Sequence, residues 1–463
     1  MITYDAIVIG SGQAGTPLAK KLARAGKKTL IIEKRFVGGT CINDGCTPTK
    51  TMVASAKLAY LVQSKNSADL GIPVKAFTVD MSKIIGRKRD IVERNRNNAQ
   101  KGLEDTENLD LIFGEAVFTG EKNIKVSLNV GGTEDFTAGL IFIDVGAKTI
   151  IPYVPGLNTI DYLTSTSILD LEIVPEHLLI LGASYVGMEF AQMFRRFGSE
   201  VTILEVSKRA LPKEDEDVAI EVVKIISDEG ISFYADSKAA FITKRDDGKI
   251  EVELLIGSKS KTITCSNILV AAGRAPQTKT LQLQIAGIEV DDQGNVKVND
   301  KLETNVKGVY ALGDVKGGPA FTHIAYNDYT IVYRNLVEGA DLTIKGRMVP
   351  YCMFTDPPLG RVGITEADAK KAGINYKVAR LPMAHVARAL EVGDTRGFMK
   401  AVVDADSKKI LGVAILGQEG GEIMSVIQMA MVGGCTYDQI RYMVFAHPTY
   451  SESLNNLFMG LDD

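Results

Sequence analysis

The stretch YDAIVIGSGQAGTPLAKKLARAGKKTLIIEK, residues 4–34, decides the fold of the first part of this 463-residue chain. An apolar run rich in β-branched residues leads into a glycine-rich turn, and apolar residues at helical spacing follow it. A second apolar run then ends at Glu33. This order predicts a strand, a helix and a second, parallel strand, which together form one βαβ unit.

The same arrangement occurs again in HLLILGASYVGMEFAQMFRRFGSEVTILEV, residues 177–206. In each copy an acid ends the second strand 23 residues after the first glycine. These pairs are Gly10 with Glu33 in the first copy and Gly182 with Glu205 in the second. We therefore expect two βαβ units of the kind that binds a dinucleotide.

Apolar strands that end at a glycine, in residues 140–156 and 267–278, are expected to close the two units. From about residue 346 short strands mix with helices, which favours an α+β domain. The sequence thus predicts an α/β fold with two dinucleotide-binding domains and a C-terminal α+β domain. The expected segments are 1–150 and 276–345 for the first domain, 151–275 for the second and 346–463 for the third.

The first glycine turn suits the phosphates and ribose of a dinucleotide. Gly10 permits a tight turn, Gly12 lets backbone approach a pyrophosphate, and Gly15 lets helix and strand pack closely. The helix start offers unpaired N–H groups to the phosphates, and Glu33 is placed to bind ribose hydroxyls. The motif is specific here because it stands between a strand and a helix and carries its acid.

The second turn, GASYVG, keeps Gly187 but has Ser184 in place of the middle glycine. The serine side chain crowds a pyrophosphate slightly, while its hydroxyl can bind a phosphate oxygen. Glu205 can accept a hydrogen bond from the 2′-hydroxyl of NADH and would repel the 2′-phosphate of NADPH. Lys208 and Arg209 lie close in sequence and can soften that repulsion. We expect a preference for NADH over NADPH.

Composition excludes several classes of function. The net charge is −4 with both signs interspersed, so we expect no basic surface for nucleic acid or an anionic membrane. No stretch reaches the roughly 18 apolar residues that a membrane span needs, and the N-terminus lacks the basic segment of a signal peptide. Five cysteines in so long a chain do not make a secreted disulfide framework. We expect a cytoplasmic protein.

Two of the five cysteines stand close together in GGTCINDGCTPTK, residues 38–50. Zinc needs about four ligands, and no histidine or further cysteine lies near this segment, so we expect no metal site here. Its glycines let backbone come near a flat cofactor, and a Cys41–Cys46 disulfide would require a distorted helical turn. A helix start would also lower the thiol pKa. Inert buried thiols and a redox-active disulfide are the alternatives.

Taken with both glycine turns, this segment resembles the redox-active disulfide of the FAD-dependent pyridine nucleotide–disulfide oxidoreductases. That family includes dihydrolipoamide dehydrogenase, glutathione reductase and mercuric reductase. The resemblance covers nearly the whole chain in the same order, and it implies two Rossmann-like domains and a C-terminal dimerisation domain. It also rests on VGA (145–147), AAGRAP (271–276), VYALGDV (309–315) and HPTYSE (447–452).

The resemblance implies a role for each matching residue. Cys46 would lie against the flavin as the charge-transfer thiolate, and Cys41 would be the thiol that attacks the substrate. Lys50 would lie near the flavin and pair with Glu189, and Tyr185 would cover the nicotinamide pocket. The other expected cofactor-binding residues are Gly10, Gly12, Gly15, Glu33, Gly39, Thr40, Gly146, Gly273, Arg274, Gly313, Asp314, Gly182, Ser184, Gly187 and Glu205.

His447 and Glu452 are expected to form the catalytic acid–base pair, in which the carboxylate orients the imidazole that moves protons to and from the thiols. In the family this histidine reaches the disulfide of the other subunit, so the resemblance implies an obligate homodimer with its interface beyond about residue 346. The remaining histidines and cysteines are expected to be structural: His177, His323, His385, Cys265, Cys352 and Cys435.

The sequence leaves three alternatives for the enzyme's electron acceptor, each represented by one group of the family. Dihydrolipoamide dehydrogenase, or another small-disulfide reductase, fits the HPTYSE ending, although Pro358 stands where such enzymes usually have glutamate. Mercuric reductase is disfavoured because no cysteine follows Cys435. The stronger likeness is to the mercuric-reductase-like flavoproteins of reactive-chlorine resistance, which implies reduction of a metal ion such as cupric copper. It rests on GGTCIN, PTKT, FTHIAYNDY, PPLGRVG, DTRG and SESLNNLF.

Asp44 lies between the two cysteines, where the family has an aliphatic residue. A carboxylate there is expected to raise the pKa of the thiols or to help hold a cation. The alternative of another class is a flavin-binding redox sensor or a subunit of a complex. A sensor would show a flavin that NADH reduces but negligible turnover with every acceptor.

Overall fold

A computed structural model describes residues 1–63 and 65–461. The chain divides into two compact units, and each unit is assembled from separate stretches of sequence. The first unit consists of Met1–Thr51, Ile85–Ile150 and Gly273–Arg347, and the second of Met52–Ile84, Ile151–Ala272 and the residues from Met348 onward.

The strands are, in chain order, β1 (Ile2–Ile9), β2 (Thr29–Glu33), β3 (Leu109–Gly120), β4 (Asn123–Leu128), β5 (Thr133–Ile143), β6 (Ala147–Thr149), β7 (Leu163–Thr164), β8 (His177–Leu181), β9 (Glu200–Leu204), β10 (Ser232–Tyr234), β11 (Ser237–Lys244), β12 (Ile250–Ile256), β13 (Lys259–Cys265), β14 (Asn267–Val270), β15 (Arg274–Pro276), β16 (Val309–Ala311), β17 (Tyr351–Met353), β18 (Leu359–Gly363), β19 (Tyr376–Pro382), β20 (Phe398–Asp404) and β21 (Ile410–Leu416). The α-helices are α1 (Gly15–Arg24), α2 (Gly39–Asn43), α3 (Cys46–Gln63), α4 (Lys65–Asp69), α5 (Met81–Glu104), α6 (Tyr185–Phe197), α7 (Glu216–Asp228), α8 (Thr322–Val337), α9 (Glu366–Lys371), α10 (Ala387–Glu391), α11 (Gly420–Val432), α12 (Tyr437–Arg441) and α13 (Ser453–Met459). Short 3-10 helices span Leu157–Thr159, Ser167–Asp170, Leu283–Ala286, Gly313–Lys316 and Met383–His385.

The first unit contains the first predicted βαβ element as β1, α1 and β2. The two strands pair in parallel, with Ile7 opposite Leu30. Leu18 and Leu22 lie one helical turn apart on the buried face of α1 and share a core cluster with Val8 of β1. The apolar spacing in the sequence therefore places the helix on the sheet.

Parallel pairing continues on both sides of β1 and gives the strand order β3-β2-β1-β5-β16, while β4 pairs antiparallel with β3 and β5. The carboxyl ends of the parallel strands lie at one edge, where sheets of this kind bind ligands. Gly10 follows β1, Glu33 ends β2, Asp144 follows β5 and Gly313 comes shortly after β16. The topology thus gathers residues from four distant stretches at one edge.

The second unit repeats this design in its first half. β8, α6 and β9 form the second βαβ element, with Ile180 opposite Ile203, inside a parallel sheet of order β10-β9-β8-β14-β7. Phe190, Phe194 and Phe197 recur at helical spacing on the buried side of α6. An antiparallel sheet of β11, β12 and β13 follows.

The last part of the second unit is an antiparallel sheet of order β17-β18-β21-β20-β19. Helices α11 and α13 share its core, in which Ile427 and Leu457 lie in one cluster with Val413. The predicted fold class, two βαβ units and a C-terminal α+β part, is confirmed. Among the helices of the described residues, none has both the length and the apolar character that a membrane span requires.

Candidate functional site

The first glycine turn leaves the start of α1 open to an anion. Gly10 has a φ of +100°, and a β-carbon at this position would overlap the carbonyl of Asp144, so only glycine fits. Within the part of the chain that the structure describes, the N-cap residue of α1, Ala14, makes no side-chain cap bond, and no acid stands in the helix's own first turn. The N–H of Gly15, the first helical residue, is bound by Asp144 from the end of another strand. The remaining N–H groups at the start of α1 and the positive end of its dipole therefore suit a phosphate.

A pocket of about 320 Å³ adjoins this turn. Gly12, Gln13 and Gly38 line this pocket. Three basic residues of α1 also line it: Lys20, Lys21 and Arg24. Among its described lining residues there is no acid. The glycine cradle and the basic lining together fit the pyrophosphate of FAD, which the resemblance implies.

Glu33 is fixed against the first glycine turn, as its position at the end of β2 predicts. Its Oε2 accepts hydrogen bonds from the backbone N–H of Ser11 at 3.0 Å and from the Ser11 hydroxyl at 2.5 Å. Its Oε1 accepts the backbone N–H of Arg35 at 2.8 Å. The carboxylate is half-buried at the strand edge, where a ribose would be bound.

Asp144 is a residue of this site that the sequence reasoning missed. It directly follows β5, and its Oδ2 accepts the backbone N–H of Gly15 at 2.7 Å. Burial raises the pKa of Asp144 well above its ordinary value; the hydrogen bond from Gly15 acts to lower it, and the acids Asp314, Asp328 and Glu33 raise it further. Its place at the carboxyl end of a parallel strand was the signal in the sequence.

The LGDV segment, residues 312–315, is anchored by a buried acid, Asp328 of α8. The Asp328 carboxylate accepts the backbone N–H of Gly313 at 2.9 Å and pairs with Lys316 at 3.1 Å and Arg347 at 2.6 Å. Burial raises the pKa of the adjacent Asp314, while the charges of Arg274 and Lys316 act to lower it. Asp314, one of the expected cofactor-binding residues, therefore lies in a buried setting beside charged side chains.

The closing segments of the first domain pair with each other. β6 and β15 run antiparallel, the backbone N–H of Ile150 donates to Gly273 at 3.0 Å, and Gln277 donates to Gly146 at 3.0 Å. The Arg274 guanidinium donates to the carbonyl of Ala147. The expected cofactor-binding residues Gly146, Gly273 and Arg274 thus lie in one small structure beside the sheet.

The two cysteines flank a break between helices. α2 ends at Asn43 and α3 begins at Cys46, so Asp44 and Gly45 form the distortion that the sequence predicts. The thiols of Cys41 and Cys46 are hydrogen-bonded to each other. This bond to Cys46 and then burial raise the pKa of Cys41, while Thr322 and Lys50 act to lower it. The structure brings Cys41, Cys46 and Lys50 close to one another, and their expected roles stay predictions.

Thr322, at the start of α8, was not predicted to take part in this site. Its hydroxyl lies 3.4 Å from the sulfur of Cys46. The start of α8 and this hydroxyl both favour negative charge on the nearby thiols. The residue lies in the FTHIAYNDY stretch, whose likeness to the family was the available signal.

The cysteine segment is packed directly on the first glycine turn. A β-carbon on Gly39 would lie 2.8 Å from the Cα of Gly12, so both positions exclude a side chain. Gly38 donates its N–H to Ser11 at 3.0 Å, and the amide of Gln13 donates to the Gly38 carbonyl at 3.1 Å. One cofactor can therefore meet both the phosphate-binding turn and the thiols.

Asn43 and Asp44 show how the loop before the cysteines is held. The Asn43 amide donates to the carbonyls of Val37 and Gly39 at 3.0 and 2.9 Å, and Arg96 donates to its oxygen at 2.7 Å. Asp44 forms an ion pair with Arg35, and its N–H donates to the expected ligand Thr40 at 2.9 Å. The Asp44 carboxylate is thus already paired with a cation, which weakens the expectation that it acts on the thiols.

The second glycine turn reproduces the first in detail. Gly182 has a φ of +114° and donates its N–H to Leu204 at 2.8 Å, just as Gly10 donates to Ile32 at 2.8 Å. Glu205 accepts the N–H of Ala183 and of Ser207, both at 2.8 Å. Within the described residues α6 has no side-chain cap and no acid in its first turn.

The remaining residues at this turn follow the sequence order. Ser184 precedes α6 and is exposed, Tyr185 begins the helix, and Gly187 packs against the Gly182 carbonyl. Arg209, which the sequence placed near the ribose acid, donates instead to the carbonyls of Glu214 and Pro212 at 2.8 and 3.1 Å.

Glu189 is buried in α6, and its Oε1 accepts the backbone N–H of Phe354 at 2.8 Å. Its expected partner Lys50 belongs to the other compact unit, so the Lys50–Glu189 pair stays a prediction.

His447 and Glu452 form the expected pair. The imidazole Nδ1 lies 3.0 and 2.9 Å from the two carboxylate oxygens of Glu452. The histidine side chain is 68% exposed, so its ring is accessible from solvent or from another molecule. A carboxylate at Nδ1 fixes the tautomer and leaves Nε2 to exchange a proton.

Two residues expected to be structural have matching surroundings. His177 bonds the Thr264 carbonyl and the Thr202 hydroxyl, both at 3.0 Å. Burial raises the pKa of Cys265 to about 12. In the described residues, no group of three or more His, Cys, Asp or Glu side chains is arranged to hold a metal ion.

Comparison with known protein families gives two matches that cover most of the chain. Residues 4–328 match the model described as pyridine nucleotide-disulphide oxidoreductase, and residues 349–458 match the dimerisation domain of the same class. Both matches agree with the order of motifs along the sequence.

Individual proteins are similar over almost the full length. The chain is 37% identical to the probable pyridine nucleotide-disulfide oxidoreductase RclA of Escherichia coli, covering 99% of both sequences. It is 34% identical to a mercuric reductase of Bacillus cereus, covering 99% of this chain and 72% of that protein. It is also 34% identical to a dihydrolipoyl dehydrogenase of Thermus scotoductus, covering 98% and 96%.

A solved structure is similar over the same range. It is described as the Cu(II) complex of the HOCl-induced flavoprotein disulfide reductase RclA from Escherichia coli. The TM-score is 0.90 at 37% identity, and the match covers 99% of each chain.

Proposed function

The chain belongs to the pyridine nucleotide–disulphide oxidoreductase family, and on that premise we propose that it passes electrons from NADH through FAD and the Cys41–Cys46 pair to a metal ion, with Cu(II) as the first candidate. The observation that carries this proposal is the contact of the two thiols beside Lys50 and Thr322. Their segment packs on a glycine turn that fits a pyrophosphate.

When bound, FAD supplies a carrier that accepts a hydride from the nicotinamide and passes two electrons to a disulfide. The residues expected at the first glycine turn and at the LGDV segment would hold it. Cys46 would face the flavin and Cys41 would face the acceptor, as the resemblance to the family implies. Oxidation of the dithiol forms one S–S bond and releases two electrons and two protons. That reduces two Cu(II) to Cu(I), or one disulfide to two thiols.

The proton of Cys41 needs a base, because the pKa of this thiol is raised by its bond to Cys46 and by burial. We assign that role to His447 of the partner subunit, oriented by its own Glu452. The Nδ1 atom of His447 already lies 2.9 Å from the Glu452 carboxylate, and the His447 side chain is exposed. Residues 349–458 match a dimerisation domain, which supports a homodimer. This thiol should therefore react faster as pH rises.

The family depends on FAD and NAD(P)H, and we propose NADH as the reductant here. Glu205 is buried with both oxygens bound to backbone N–H groups, so its negative charge is fixed beside the second glycine turn. Arg209 is engaged by carbonyls of its own loop, which leaves it less free to bind a 2′-phosphate. Tyr185 would cover the nicotinamide pocket, and Lys50 would pair with Glu189.

The proposed domains are those expected from the sequence. Residues 1–150 and 276–345 would bind FAD, residues 151–275 would bind NADH, and residues 346–463 would form the dimer interface. We also propose that the enzyme is cytoplasmic, because its two active thiols must be reduced and reoxidised in each cycle.

The choice of acceptor is supported by the relatives. A solved structure 37% identical to this chain is described as a Cu(II) complex, and mercuric reductases are also similar. A second candidate, dihydrolipoamide oxidation or reduction of another small disulfide, is favoured by the similarity to dihydrolipoyl dehydrogenases.

The test is NADH oxidation by the purified holoenzyme with Cu(II), Hg(II), lipoamide, quinones and oxygen as acceptors. Cu(II) should give the highest kcat/KM, and Cys41→Ser and Cys46→Ser should each lose nearly all of it. Cys435→Ser is the matched control, a cysteine outside the site that should keep wild-type rates. Lipoamide as the best acceptor would favour the second candidate, and full Cu(II) activity in both serine variants would overturn the thiol route. If none of these acceptors supported turnover although NADH reduced the flavin, the protein would be a redox sensor.

A further inference from the structure

Asp144 lies where three segments of the proposed FAD site meet. Its carboxyl accepts the N–H of Gly15 at 2.7 Å. A β-carbon on Gly12 would lie 2.7 Å from its Oδ2, and one on Gly313 would lie 3.0 Å from its Oδ1. The carboxyl therefore touches the glycine turn on one side and the LGDV segment on the other, at the end of β5.

Three acids lie near this carboxyl. Asp144 is 7% exposed, and within the described residues the bond from Gly15 is the hydrogen bond that it accepts. Burial is the largest cause of the raised pKa of Asp144, the hydrogen bond from Gly15 acts to lower this pKa, and three nearby acids raise it. Those acids come from three elements: Asp314 of the LGDV segment, Asp328 of α8 and Glu33 of β2.

The cations of this region are committed to other acids. Lys316 and Arg347 both pair with Asp328, and Arg274 acts on Asp314. Glu33 is held by Ser11 and by the backbone of the next loop. Among the described residues, a negative charge on Asp144 would therefore be buried beside three acids, and the N–H of Gly15 at the start of α1, not a cation, would stabilise it. Burial of a charge that has no cation partner is costly.

We propose that Asp144 is held as a neutral carboxylic acid in the FAD site, and that loss of its proton weakens FAD binding, so that this chain retains FAD less tightly as pH rises. The inference rests on the proposed FAD site. A neutral acid can donate one hydrogen bond, whereas a carboxylate only accepts. An ionised Asp144 would also repel a pyrophosphate at the start of α1, where its own partner Gly15 lies.

Linkage sets the expected size of the effect. A bound pyrophosphate raises the pKa of Asp144 further, so FAD binding takes up a proton wherever Asp144 is ionised in the apoprotein. In that range the dissociation constant for FAD rises by up to about tenfold for each unit of pH. Below that range FAD binding is tight and independent of pH.

The experiment measures FAD rebinding to the apoprotein of the full chain by quenching of flavin fluorescence, from about pH 5 to about pH 9. The wild type should lose at least about tenfold in affinity over this range. Asp144→Asn keeps the size of the side chain and an oxygen for Gly15 but carries no charge, so its affinity should be flat. Asp291→Asn, an exposed acid of the same unit, should keep the wild-type slope.

A second readout does not depend on FAD. The carboxylic-acid C=O band in the infrared difference spectrum of wild type minus Asp144→Asn should be present at neutral pH and absent when Asp144 is ionised. A flat wild-type profile, or equal slopes in wild type and Asp144→Asn, overturns the proposal, and so does a missing band. If the wild type bound no FAD at any pH, the proposed function would fail, and the infrared band would still decide the protonation of Asp144.

Discussion

Asp356 anchors a buried ion-pair network in the second unit, and its replacement by asparagine should destabilise that unit. Its carboxylate lies 2.9 Å from Arg196 of α6, 3.4 Å from Arg396 and 3.3 Å from Lys57 of α3. Burial acts to raise the pKa of Asp356, but these three cations outweigh it and hold the pKa at about 2. Lys57 belongs to α3, the helix that begins at Cys46.

The magnitude follows from linkage. An ordinary aspartate has a pKa of about 3.9, and a difference of about two units at about 1.36 kcal/mol each gives about 2.5 kcal/mol. Because the pKa is lowered in the folded state, this stability is complete above about pH 4 and is lost as pH falls towards about 2. Arg196 keeps Glu229 at 2.7 Å, so the loss should not reach the 3–5 kcal/mol of an unpaired buried charge.

The assay is thermal unfolding of wild type and Asp356→Asn at about pH 7 and about pH 3, at equal protein and FAD concentrations. The variant should melt about 5 °C lower at the higher pH, with a smaller difference at the lower pH. Glu338→Gln, which removes an exposed partner of Arg334, is the matched control and should cost less than about 1 kcal/mol. An equal loss at both pH values, or none at neutral pH, would refute the reasoning.

Three further predictions concern the chemistry. Glu452→Gln removes the carboxylate that orients His447. In stopped flow, oxidation of the dithiol should slow about tenfold to a hundredfold while flavin reduction by NADH is unchanged. Equal slowing of both steps would contradict the role of Glu452 in proton transfer. Glu205→Ala should lower the ratio of kcat/KM for NADH over NADPH by about tenfold, and an unchanged ratio would remove this acid from cofactor choice. Thr322→Val removes a hydroxyl that lowers the pKa of Cys41, so iodoacetamide should alkylate the NADH-reduced enzyme more slowly at fixed pH; a faster rate would be the opposite of the prediction.

Local pattern was sufficient to predict the βαβ units and the acids that serve them. Gly10 and Glu33 are close in sequence, and the same spacing at Gly182 and Glu205 gave the same hydrogen bonds. The helix break between the cysteines was likewise visible, because residues five apart cannot meet on a regular helix.

Contacts between distant segments could not be predicted in this way. Asp144 meets Gly15 only because β5 pairs with β1, and Thr322 meets Cys46 across 276 residues. Asp44 shows the converse, since its nearness to the thiols in sequence suggested a role on them, while its carboxylate pairs with Arg35. Pairing register and side-chain direction decide such contacts, and a single sequence does not encode them locally.

Anaerobic titration of the oxidised holoenzyme with NADH shows whether electrons pass through the Cys41–Cys46 pair. Because the flavin and the disulfide each take up two electrons, the wild type should consume about two NADH per FAD before NADH accumulates. Cys41→Ser should consume about one NADH per FAD, and Cys435→Ser about two, as the wild type does. If the wild type takes up only one equivalent and no new thiols are titrated after reduction, electrons do not pass through the Cys41–Cys46 pair.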